Sequence, residues 1–91
     1  FDLYDTTTYL LVLRAGTGTV EEKTLCEVLK KNTRAYKLRM RNQMADSEEF
    51  TYEVSFTRKQ NAGALSQSVR DAVGADKIRS LNLVSYSGET L

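Results

Sequence analysis

Apolar positions recur along the chain in two rhythms, and each rhythm predicts a type of element. Residues 7–14 are β-branched and apolar with little alternation, as expected of a strand covered on both sides. Ala15-Gly16-Thr17-Gly18 ends that run. Thr19, with Glu22 three residues on, has the capping-box spacing that opens a helix. Leu25, Val28 and Leu29 then share one helical face, Lys23, Glu27, Lys30 and Lys31 the opposite one, and Asn32 predicts a left-handed stop. Residues 34–42 alternate, with Tyr36, Leu38 and Met40 on one side and Lys37, Arg39 and Arg41 on the other. Residues 43–49 are polar and predict a hairpin connection. Phe50, Tyr52, Val54 and Phe56 alternate with Thr51, Glu53, Ser55 and Thr57 as a further strand. Asn61 caps a second helix striped by Ala62, Leu65, Val69, Ala72 and Val73, Gly74 ends it, and residues 81–86 form the last strand.

The resulting order is β-α-β-β-α-β. This predicts an α+β, ferredoxin-like sandwich: a four-stranded antiparallel sheet with two helices on one face. The first and third strands fall in the centre, the second and fourth at the edges. Alternation assigns Tyr9, Leu11, Leu13, Tyr36, Leu38, Met40, Phe50, Tyr52, Val54, Phe56, Leu81 and Leu83 to the helix-covered side. Thr8, Leu10, Val12, Arg14, Lys37, Arg39, Arg41, Thr51, Glu53, Ser55, Asn82, Val84 and Tyr86 are assigned to the open side.

Composition narrows the chemistry. A chain of 91 residues is one domain, here spanning 1–91. Thirteen basic and 12 acidic side chains leave a net charge of +1, so no global field attracts nucleic acid or anionic lipid. The absence of His removes the usual general base near neutral pH and the commonest metal ligand. Cys26 is the one cysteine, which excludes an intrachain disulfide and fits a reducing, cytoplasmic compartment. The longest apolar run, residues 9–13, is far too short to cross a membrane. The chain begins with Phe1, which predicts a piece of a longer protein. These features predict no catalytic residue, no metal site and no cofactor.

Four features remain as candidate sites. Arg14, Gly16, Thr17 and Gly18 form a glycine-containing turn into a helix, where free N–H groups can hold a small anion. The turn lacks the third glycine of a dinucleotide fingerprint and the lysine of a phosphate loop, so a plain turn is the favoured reading. Lys37, Arg39 and Arg41 belong to a basic cluster with Lys30, Lys31 and Arg34. Either this cluster meets an anion or it guards an edge strand against pairing, and the second reading is favoured. The aromatics of residues 50–56 alternate as in RNA-recognition sheets. They lack the glycines of that motif and include Glu53, so they read as core and nucleic acid is disfavoured. Leu10, Val12, Val84 and Tyr86 form an apolar patch on the open face, a candidate partner surface.

Two resemblances add to this. Arg14-Ala15-Gly16 at the end of the first strand looks like the turn that ACT-type regulatory domains place there, with Ala15 where those domains carry proline. Residues 25–33 (LCEVLKKNT), 49–54 (EFTYEV) and 83–89 (LVSYSGE) resemble the soluble C-terminal domain of an uncharacterised bacterial family of multi-pass membrane proteins found beside VTC-like polyphosphate polymerases. The resemblance implies a non-enzymatic, ACT-like regulatory or interaction domain at the cytoplasmic face of a membrane. It would act through homodimerisation or by docking the attached membrane portion. A sensor of a small anion or amino acid is the alternative, and an RNA-binding module the third.

Overall fold

The computed structural model describes residues 7–86. Its elements are β1 (Thr8–Gly16), α1 (Glu22–Asn32), β2 (Ala35–Gln43), β3 (Ser47–Ser55), α2 (Ala62–Val73) and β4 (Ile78–Tyr86), with a 3-10 turn over Ala75–Lys77 before β4. Ser87, Gly88 and Glu89 of the third resembling stretch, and both ends of the expected 1–91 domain, lie outside the described residues.

All strand pairs are antiparallel, and the order β2-β3-β1-β4 is that of the ferredoxin-like fold. β1, the most apolar strand, is central; β2, the most charged, is an edge. Thr8 lies directly opposite Tyr86, so the described chain enters and leaves the sheet side by side. No helix among the described residues is long and apolar enough to cross a membrane.

The core forms where the two helices cover one side of the sheet. Leu11, Leu13 and Ala15 of β1, and Phe50, Tyr52 and Val54 of β3, pack against Leu25 and Leu29 of α1 and Leu65, Val69 and Val73 of α2. Phe56 joins them just beyond β3, with its ring edge-on to Tyr9 at 5.2 Å between centroids. Ala72 of the expected α2 stripe is instead exposed. α2 begins as expected, with the Asn61 side chain accepting the Ala64 N–H at 2.8 Å. It ends at Gly74, whose φ of 100° is closed to most side chains.

α1 departs from expectation at both ends. It starts at Glu22, and no side chain caps it. The Thr19 hydroxyl instead donates to the Gly16 carbonyl at 2.7 Å, closing a tight turn in which Gly18 takes a φ of 77°. At the other end Asn32 stays helical. Thr33 terminates the helix in extended conformation, its hydroxyl donating to the Leu29 carbonyl at 2.6 Å.

The largest correction concerns β2. Tyr36 and Leu38 pair with Val54 and Tyr52 on the helix-covered side, but a bulge between Leu38 and Met40 shifts the register by one residue. Met40 therefore lies opposite Thr51 on the open side, and Arg41 opposite Phe50 on the covered side. This reverses the expected faces of both residues, and Met40 is 54% exposed. β3 also starts earlier than expected, so Glu48 and Glu49 are strand residues and not hairpin loop.

Candidate functional site

Two surfaces emerge from this frame, one on each side of the sheet. On the covered side, beneath the start of α1, is a polar cluster built by the bulge. Glu48 is in phase with Phe50 and Tyr52 and is 1% exposed. One carboxylate oxygen accepts the Gly18 N–H at 2.8 Å, and the other accepts from Arg41 at 3.0 Å. Arg41 also donates to Glu22 of α1 at 3.3 Å and lies over the Phe50 ring, 5.0 Å from its centroid. The Gly18 N–H and then the Arg41 guanidinium hold the Glu48 carboxyl below its usual range, against the opposing effect of burial. The result ties together the β1–α1 turn, the β2–β3 hairpin and the first turn of α1. The Thr17 N–H strengthens the same junction by donating to the Asp46 carbonyl at 3.3 Å.

This geometry changes the meaning of the glycine turn. The Gly18 N–H, the donor expected to face a small anion, already holds an anion of the chain itself. Arg14 does not join it. Arg14 sits between Glu49 and Ser80 in the sheet, on the open side, whereas Glu48 and the Gly18 amide lie on the covered side. The structure thus separates the four residues of the expected anion site into two groups.

The basic strand separates as well. Lys37 lies opposite Glu53 on the open side, and Arg39, at the bulge, donates to Glu53 at 2.9 Å. Arg41 points the other way. The three cations therefore form no single basic face.

The aromatics of β3 are core. Phe50 and Tyr52 are buried, and Tyr52 stands near Tyr36 at 6.4 Å between ring centroids. The Tyr52 hydroxyl is buried without a hydrogen-bond partner, and desolvation pushes its pKa far above the usual value. Cys26 and Glu22 lie close by and act in the same direction.

The open side carries the second surface. Its rows run across the strands as Lys37, Glu53, Leu10, Val84 and as Met40, Thr51, Val12, Asn82. Leu10, Val12 and Tyr86 are half-buried by their neighbours, and Val84 is 55% exposed. The expected patch of Leu10, Val12, Val84 and Tyr86 is thus brought together on one face, and neither helix covers it. Met40 adds a residue that strict alternation had assigned to the core. Among the described residues no group of three or more His, Cys, Asp or Glu side chains is arranged to hold a metal ion.

Compared with protein families, curated proteins and solved structures, the chain matches none.

Proposed function

We propose that this domain is a non-enzymatic interaction module that works through the β4–β1 half of its open sheet face. The observation that carries this reading is the contiguity of Leu10, Val12 and Val84 on a face that no helix covers. Apolar side chains grouped in this way signify a partner more often than isolated exposed ones do. Thr51 and the Lys37–Glu53–Arg39 group would form a polar rim on the β2 side. The polar cluster under α1 acts as an internal brace in this reading, with both Glu48 carboxylate oxygens bonded within the chain. In line with the sequence resemblance to the soluble C-terminal domain of an uncharacterised multi-pass membrane protein family, the domain would pair with a second copy or dock the attached membrane portion.

The test is to introduce Leu10→Lys and Val84→Glu separately, then measure sedimentation and thermal unfolding. A partner surface predicts loss of self-association, or of binding to the membrane portion, by a chain that still unfolds cooperatively. Loss of folding would make Leu10 a core residue. Unchanged association with intact folding would remove the face from consideration.

A further inference from the structure

The sequence treats the two edges of the sheet in opposite ways. β2 carries Lys37, Arg39 and Arg41 and is bent by a bulge, both of which protect an edge against adding another strand. β4 has neither protection over most of its length. From Ser80 to Tyr86 it contains no charged residue and no proline, and it pairs with β1 in regular register. Its single irregularity lies before Ser80, opposite Arg14 and Ala15. Among the described residues no strand lies beyond β4, so alternate backbone N–H and C=O groups along seven regular residues face outward. Leu81 and Leu83 on the covered side are half-buried at this margin, and Val84 on the open side is 55% exposed.

We infer that two copies of the chain join through antiparallel pairing of their β4 edges, continuing the sheet to eight strands. This rests on the interaction reading above and names the partner as a second copy. Three features select that partner. From Ser80 to Tyr86 the strand is uncharged and can face itself without repulsion. A two-fold axis perpendicular to the sheet keeps all helices on one side, and it requires paired residues to share a face, so the register can move only in steps that preserve face. Of the registers this allows, the one with its axis at Asn82 faces leucine with leucine twice: Leu81 meets the second copy's Leu83 on the covered side, Ser80 meets its Val84 on the open side, and the regular pairing ends at Ser80, before the irregularity that puts Ile78 opposite Ala15. The two apolar patches around Leu10 and Val84 then run together across the seam.

Cross-linking tests both the pairing and its register. In a Cys26→Ser background, Asn82→Cys places two thiols across the axis. Opposed residues there have Cα atoms about 4.5–5.5 Å apart, within disulfide reach. Val84→Cys faces Ser80 of the other copy, which leaves its own counterpart four residues, or about 13 Å, along the strand and out of reach. Leu10→Cys lies one strand in and is also out of reach. The expected result is a dimer by sedimentation, with disulfide-linked dimer from Asn82→Cys alone. Ser85→Lys, a charge added to the exposed edge, should weaken the dimer by roughly tenfold or more while leaving the unfolding temperature of the dilute, monomeric chain unchanged. A dimer that links through Leu10→Cys and not Asn82→Cys would overturn edge pairing while leaving the interaction reading in place. A chain that stays monomeric up to its solubility limit would overturn edge pairing, and binding to the membrane portion would then decide the broader reading on its own.

Discussion

Glu48 stays charged beneath α1 because the Gly18 amide and the Arg41 guanidinium both donate to its carboxylate, with a smaller contribution from Gln43. Glu48→Ala leaves a backbone donor and a partly buried cation without their acceptor, and should destabilise the fold by about 2–4 kcal/mol. Glu48→Gln keeps acceptor capacity and should cost less. The sign of the pH dependence follows from the lowered carboxyl pKa. The unfolded chain binds this proton near the ordinary value of 4.5, and the folded chain only below it. The contribution is therefore complete above that pH and disappears as pH falls through the folded-state value. Urea unfolding across a pH series should show a stability gap between the native chain and Glu48→Gln that closes on acidification. Arg41 and Arg39 provide a second contrast. Arg39→Ala removes an exposed ion pair and should cost less than about 1 kcal/mol, whereas Arg41→Ala should cost about 1–3 kcal/mol. Equal losses would mean that the Glu48 contact contributes no more than a surface pair.

At the scale of elements, the two helices begin by different means. α2 depends on a side-chain cap, so Asn61→Ala should lower stability by about 1 kcal/mol. Thr19→Ala, which removes a hydroxyl from an exposed turn and not from a helix end, should cost only about 0.5 kcal/mol or less. Thermal unfolding of the two variants distinguishes these roles. The same comparison shows what the sequence could reveal. Asn61 and Gly74 are local signals and predicted the ends of α2. Thr19 and Glu22 carry the spacing of a cap but are used otherwise, because Gly18 turns the chain early to reach Glu48. The faces of β1, β3 and β4 followed from alternation. The face reversal in β2 was hidden, since Tyr36, Leu38 and Met40 alternate without a break and the bulge arises from pairing with β3. Glu48 had left one trace: it continues the even-numbered rhythm of Phe50, Tyr52 and Val54, one step beyond the expected start of that strand. The apolar patch was legible except for Met40, whose place depends on the bulge.

Among the described residues, the sheet has one face committed to the helices and one that neither helix covers, and one edge guarded by charge and one uncharged from Ser80 to Tyr86. Stability and association therefore draw on different residues, and the substitutions proposed for the open face and for β4 can alter one without the other. The pairing of Thr8 with Tyr86 has a mechanical consequence. Tension applied where the described chain enters and leaves does not slide β4 along β1. It opens that ladder like a zipper, with hydrogen bonds failing in sequence and not together. Handles at Thr8 and Lys77 would instead load the same two strands in shear. In an optical trap the first geometry should rupture at distinctly lower force than the second, although the two share one equilibrium stability, because forced unfolding reports the barrier along the pulled direction. A domain of this topology, held by its two ends, would yield first at β4 and expose the central strand β1.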